Sequence, residues 1–157
     1  MLEIERKFLI ERPEDGCLSD YKFSDIVQTY LLPKGRVRMR KYEDRTVYTH
    51  TVKTSVTNIT RIEEERCISE AEYYELLKTA DPERVSVCKR RYIIGYCGFV
   101  FELDDFGAGY THALLEIELP AEDTEFYVPD FLKIVREVTD EHEYKNSVIA
   151  AKGFPDK

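Results

Sequence analysis

Hydrophobic and polar positions trade places with a period of two along much of the chain. Residues 37–40, 46–53, 91–96, 99–104 and 114–119 alternate in this way, the signature of a strand whose two faces meet different surroundings. Residues 4–10 and 26–32, rich in β-branched and aromatic side chains, predict two more strands, and residues 61–68 a weaker one. Leu32-Pro33-Lys34-Gly35 and Gly107-Ala108-Gly109 supply turns between them. Helical signals are fewer. Ser69-Glu70-Ala71-Glu72 forms a capping box, in which the Ser69 hydroxyl accepts from the third helical amide and Glu72 reaches back; the helix runs to about Ala80, ahead of Pro82. Residues 129–138 predict a second helix, with Pro129 at the favoured first position and Phe131, Leu132, Val135 and Val138 on one face. Residues 145–151 predict a short third. No repeat, low-complexity tract or linker interrupts the pattern, so the chain is expected to be a single domain over 1–157, α+β but mainly β, with the helices packing around a mostly antiparallel sheet.

The unusual feature is the polar face of these strands, which is charged and sorted by sign. Glu3, Glu5 and Lys7 share a face of the first strand, and Arg36, Arg38 and Arg40 a face of the third. Arg61, Glu63 and Glu65 share another, followed by Lys89 and Arg91, by Glu102 and Asp104, and by Glu116 and Glu118. Three arrangements accommodate such rows: a solvated sheet face, a web of structural ion pairs between acidic and basic strands, or a closed barrel with the charges inside. Solvated faces usually interleave signs, because like charges on neighbouring positions repel. A closed barrel of eight strands has an interior just wide enough for side chains or one small ligand. Clustered cations there suit a compact polyanion, and clustered carboxylates suit a hard divalent cation such as Mg²⁺ or Mn²⁺. A polyphosphate with its metals satisfies both sets, and so many buried charges would otherwise be prohibitive. The apolar partners Ile4, Phe8, Leu103, Leu115 and Ile117 then face outward and pack under helices.

Composition narrows the function classes. Of 157 residues, 23 are Lys or Arg and 31 Asp or Glu, a net charge of −8. That balance argues against a general binder of nucleic acid or anionic membranes while leaving room for a local basic site. The cationic stretch from Lys34 to Lys41 taken alone resembles a nucleic-acid patch, but its strict alternation favours a strand lining. Cys17, Cys67, Cys88 and Cys97 form no CxxC pair and no pattern with His50, His112 and His142. They read as reduced thiols of a cytosolic protein rather than a zinc site. Four charges in the first ten residues leave no apolar core for a signal peptide, no run approaches 18 apolar residues, and no Walker A glycine loop is present.

The opening Glu3-Ile4-Glu5-Arg6-Lys7 resembles the ExExK signature of the CYTH superfamily, the triphosphate tunnel metalloenzymes. The likeness continues in order through Gln28-Thr29-Tyr30-Leu31, Arg38-Met39-Arg40, Thr51-Val52-Lys53, Arg61-Ile62-Glu63-Glu64-Glu65, Lys89-Arg90-Arg91-Tyr92, Phe101-Glu102-Leu103-Asp104, Leu115-Glu116-Ile117-Glu118 and Tyr144-Lys145-Asn146. A lone ExExK is a weak signal, but the ordered set covers nearly the whole chain. The resemblance implies an eight-stranded antiparallel tunnel, usually a homodimer, acting on small-molecule triphosphates with Mg²⁺ or Mn²⁺. The short segment between Lys7 and Gln28 is similar to that of the small bacterial tripolyphosphatases. The implied activity is hydrolysis of the terminal phosphoanhydride of inorganic tripolyphosphate by a metal-activated water. Adenylate cyclase, thiamine or nucleoside triphosphatase, and a polyphosphate-binding module without turnover are the alternatives. In that scheme Lys7, Arg38, Arg40, Lys53, Arg61, Lys89, Arg91 and Lys145 hold phosphates. Glu3, Glu5, Glu63, Glu65, Glu102, Asp104, Glu116 and Glu118 hold metal, Lys89 stabilises the leaving group, and Tyr30 hydrogen-bonds near it. Arg36 shares the face of Arg38 and Arg40, but its place at the strand start puts it at the rim. Glu64 and Arg66 fall on the outside.

Overall fold

Eight strands close on themselves in a computed structural model that describes residues 2–57 and 59–155, the side chains of Leu2 and Glu3 lying outside the described set. They are β1 (Leu2–Glu11), β2 (Phe23–Tyr30), β3 (Arg36–Lys41), β4 (Thr46–Ser55), β5 (Thr60–Ile68), β6 (Val87–Tyr96), β7 (Phe99–Asp105) and β8 (His112–Glu118). The order around the barrel is β5-β4-β3-β2-β6-β7-β8-β1, every pairing is antiparallel, and β1 closes back onto β5. The closing seam is short, residues 2–4 of β1 opposite residues 60–62 of β5.

That short seam explains where the expected helix over 129–138 fails. Past Ile4 the β1 edge would be left with bare amides and carbonyls, which a buried backbone does not tolerate. Residues 134–137 supply the partners as a ninth strand, β9 (Ile134–Glu137), lying along Phe8, Leu9 and Ile10. Ahead of it the amide of Leu132 donates to the Pro129 carbonyl at 3.0 Å in a single turn. Leu132 and Val138 are buried as a helical stripe would bury them, but Phe131 and Val135 are exposed. A turn followed by an edge strand satisfies the same apolar spacing.

The other two helices form. In α1 (Glu70–Leu76) the Ser69 hydroxyl caps the Glu72 amide at 3.1 Å. Glu72 does not reach back; it accepts from Arg66 at 2.6 Å, a charged partner on the outer face of β5. A 3₁₀ turn, Leu77–Thr79, ends the segment. Through Tyr73, α1 covers Leu31 and Val37 on the outer wall. The second helix, α2 (Asn146–Lys152), packs Ile149 and Ala150 with Tyr144 against Leu9, Val87 and Leu114. By alternation these three positions point inward, where the charged rows of β1, β6 and β8 give way to apolar residues.

The larger core lies outside the barrel wall, as the outward apolar positions predict, and includes Phe8, Ile94, Phe101, Leu103, Leu115 and Ile117. Its cover is not helical. Leu119, Phe126, Val128 and Leu132 from the β8–β9 connection, with Leu18 and Tyr21 from the β1–β2 connection, lie over it. Pro120 and Pro129 bracket that connection and disfavour a continuous helix. The Phe126 ring meets those of Phe8, Phe99 and Phe101 edge-on at 5.8, 6.3 and 6.2 Å.

Candidate active site

The pairing register carries the charged rows of separate strands to one inner surface. Glu5 lies opposite Glu118, Lys7 opposite Glu116, and Glu116 opposite Glu102. Arg91 lies opposite Asp104, while Lys89 and Arg40 flank Ile26 of β2 from either side. Lys53 faces Glu63, Thr51 faces Glu65, and Glu3 is in register with Arg61. Arg38 lies between Gln28 and Thr49, and Tyr30 opposite Arg36. The strand-borne candidates therefore share the lumen face, with the side chain of Glu3 outside the described residues.

Within that surface the charges divide into two zones. On β6 and β7 the two lumen cations each have a carboxylate partner, although burial, with Arg91 and Arg38 nearby, still pushes Lys89 down to about 7. Asp104, 1% exposed, accepts from Arg91 Nε at 2.8 Å and Nη2 at 3.0 Å, and pairs with Lys89 Nζ at 2.7 Å. Arg91 also reaches Glu102 at 3.3 Å, and Lys89 donates to Asn146 Oδ1 at 3.2 Å. Burial alone would raise the Asp104 carboxyl, but the charges of Arg91 and Lys89 and their hydrogen bonds hold it well below the usual carboxylate range. Nearby, Lys7 Nζ donates to the Tyr144 carbonyl at 3.0 Å and lies 3.6 Å from Glu116, and Arg61 pairs with Glu5. On β3 Arg38 and Arg40 have neutral partners. Arg38 donates twice to Gln28 Oε1, at 3.2 and 2.9 Å, and Arg40 to Ser24 Oγ at 2.7 Å. Burial, with the charges of Arg36 and Arg91 added, pushes Arg38 down to about 9.

A cavity of about 380 Å³ opens on this surface. Its wall carries Glu5, Lys7, Tyr30, Arg36, Thr51, Lys53 and Arg61, and its rim Lys34, Arg84, Lys145, Asn146 and Ser147. Among the described residues lining it, seven cations (Lys7, Lys34, Arg36, Lys53, Arg61, Arg84 and Lys145) face one carboxylate, Glu5. Arg84 is held by Asp81 at 3.2 Å and lies over the Tyr30 ring at 5.2 Å. The Tyr30 hydroxyl accepts from Gln28 Nε2 at 3.4 Å. Lys89, Arg91, Arg38 and Arg40 do not line the cavity; Asn146 links Lys89 to it. Alternation points to the wall residues. Lys34, which opens the cationic stretch, and Arg84 reach the rim on loops, and no spacing in the sequence marks Arg84.

The acidic residues fit a hard divalent cation in chemistry, being all-oxygen donors in register across β1, β8 and β7. Burial first, and then the charges of Glu5 and Glu102, raise the Glu118 carboxyl above its ordinary value, a repulsion that a bound cation relieves. Among the described residues no three acidic, His or Cys side chains already converge as a ligand set. Glu5 and Glu102 are turned instead toward Arg61 and Arg91.

The CYTH domain family model matches residues 1–151. Among solved structures, the inorganic triphosphatase NE1496 is 31% identical over 95% of this chain and 94% of its own, with a TM-score of 0.61. Two proteins of Pyrococcus horikoshii OT3, PH1012 and PH1819, are 21% and 19% identical, each over 77% of this chain and 80% of theirs, both with TM-scores of 0.52; they bear on the fold alone. No curated protein matches the sequence. No helix among the described residues is long and apolar enough to cross a membrane.

Proposed function

The chain belongs to the CYTH domain family, and from that premise we propose that it is a divalent-metal-dependent hydrolase of the terminal phosphoanhydride of inorganic tripolyphosphate. The observation that carries this reading is the cavity with seven cations among its described lining residues, a set that suits a compact, multiply charged anion even with Lys7, Arg61 and Arg84 near carboxylates. The likeness to a triphosphatase at 31% identity supports the same substrate class.

Polyphosphate oxygens repel an incoming nucleophile, so catalysis rests on charge neutralisation and positioning more than on covalent chemistry. Lys7, Lys53, Arg61 and Lys145 hold phosphate oxygens from the cavity wall and rim. Arg38 and Arg40 hold them from β3, where each guanidinium can turn its fork from a neutral partner to two anionic oxygens. Lys89, tied to the cavity through Asn146 and backed by Arg91, stabilises the leaving phosphate, and Tyr30 orients it from the wall. Glu3, Glu5, Glu63, Glu65, Glu102, Glu116 and Glu118 are the residues that would hold Mg²⁺ or Mn²⁺; Asp104 is buried and already taken by Arg91 and Lys89. Bound there, the metal would supply neutralisation of phosphate charge and a lowered pKa for water.

The test is phosphate release by the purified protein from tripolyphosphate, ATP, thiamine triphosphate and pyrophosphate, each with Mg²⁺, Mn²⁺ or EDTA. Fast release from tripolyphosphate that EDTA abolishes is the expected result. Cyclic AMP in the ATP samples would move the protein to cyclase chemistry, and tight tripolyphosphate binding without turnover would make it a binding module. Glu116→Gln should abolish turnover while leaving tripolyphosphate binding in EDTA measurable; undiminished turnover would remove Glu116 from the mechanism.

A further inference from the structure

Arg36 stands apart from the other cations of the lumen. Its place at the start of β3 suggests a rim position, yet it is only 8% exposed. It lies opposite Tyr30 on one side and Thr51 on the other, and all three line the cavity. Gly35 sets this approach: at φ +91° it turns the loop onto β4, where an added Cβ would come within 3.2 Å of the Thr51 carbonyl and of His50. The Arg36 Nε is buried and has no hydrogen-bond partner among the described residues. The lumen supplies carboxylates to Lys7, Arg61, Lys89 and Arg91, and none of them reaches Arg36. Its charge adds to that of Arg38 on the same face. The unpartnered Nε and the position of the side chain on the cavity wall leave a hydrogen-bond donor for an anion bound there to satisfy.

The chemistry of the outer phosphate decides which anion fits best. In inorganic tripolyphosphate the outer phosphate is a free terminal group carrying roughly −1.5 to −2 near neutral pH, as a phosphomonoester does. A nucleoside or thiamine triphosphate that enters with its free terminal phosphate first leaves its esterified phosphate at the mouth, with a single negative charge and a bulky group toward Arg84 where it covers Tyr30. We propose that Arg36 is a phosphate-binding residue of the tunnel mouth and that, with Arg84, it selects substrates whose outer phosphate is free over those in which it is esterified. The inference deepens the tripolyphosphatase reading and rests on it.

The test is calorimetric titration of tripolyphosphate and of ATP in EDTA into the wild type, Arg36→Gln and Arg36→Lys, with thermal melts of the ligand-free proteins. Arg36→Gln should weaken tripolyphosphate binding by about tenfold to a hundredfold, the scale of a charged hydrogen bond. It should weaken ATP by no more than about threefold, the scale of an exposed charge contact. Arg36→Lys should fall between. The ligand-free Gln variant should melt at or above the wild-type temperature, since a buried N–H without a partner has gone; an arginine kept only for packing would give a lower melt. Equal losses for both ligands, unchanged affinity for tripolyphosphate, or a Gln variant that melts lower or fails to fold would each overturn the inference. Wild type that binds tripolyphosphate without hydrolysing it would end the hydrolase reading alone, because the selectivity is still read from binding.

Discussion

Arg91 and Arg38 line the same lumen from β6 and β3, with only β2 between them, and their surroundings differ in one respect. Burial opposes the charge of both. Arg91 has the carboxylates of Asp104 and Glu102, and its proton is held more tightly than in water. Arg38 hydrogen-bonds the amide oxygen of Gln28 and, among the described residues, no carboxylate; burial and the charges of Arg36 and Arg91 outweigh those of Asp104 and Glu65, and its proton is held less tightly. The same residue type on the same inner face thus serves two ends. The β6–β7 zone is neutralised within the chain and ties the wall together. Among the described residues the Arg38 and Arg40 guanidiniums of β3 hydrogen-bond neutral side chains only, which under the proposed function leaves them able to turn to a ligand.

Asp104→Asn attacks the matched zone and should have the largest effect. It leaves Lys89 and Arg91 buried beside a neutral amide, and urea unfolding should show a loss of roughly 3–5 kcal/mol. A loss below about 1 kcal/mol would mean that the zone does not hold the wall. The pH dependence follows from the same residue. Its folded value is depressed below the ordinary 3.8, so its contribution is fully present above that value and is lost as pH falls through the lower folded one. Acid titration of stability should therefore lose part of its low-pH slope in Asp104→Asn, and an unchanged slope would contradict the assignment.

In the unmatched zone the effects should appear in binding instead. Arg38→Gln should weaken tripolyphosphate by about tenfold to a hundredfold while changing the unfolding free energy by less than about 1 kcal/mol. The reverse result, a large stability loss with little change in affinity, would erase the distinction between the zones. The smallest effect is expected from Asp25→Asn. Its partner Arg90 adjoins Arg91 in sequence but points to the outer face, and the Arg90–Asp25 pair at 2.8 Å is 43% and 49% exposed. Such a pair contributes about 0–1 kcal/mol, and a greater loss would mean that position on the inner or outer face is not what sets the energetics.

The strands were legible because alternation is a local property of the chain. Residues 46–53 and 99–104 fall within β4 and β7 as the period predicts. The Ser69 cap was legible for the same reason. Residues 129–138 were not, because their apolar spacing suits a helix and a turn-plus-strand equally, and the unpaired edge of β1 that decides between them lies far away in sequence. The rim residue Arg84 was not legible either, since it reaches Tyr30 on a loop with no periodicity.

For the site, the sequence by itself determined which side chains share a face and that each face carries blocks of one sign. Both follow from the two-residue repeat of an extended backbone. It could not determine which of those charges meet a partner. That depends on the ladder between strands, and a shift of one residue would exchange lumen and exterior along a whole strand. Only the closed barrel decided that Arg91 meets Asp104 while Arg36, two residues from Arg38 on the same row, has a buried Nε without a partner among the described residues.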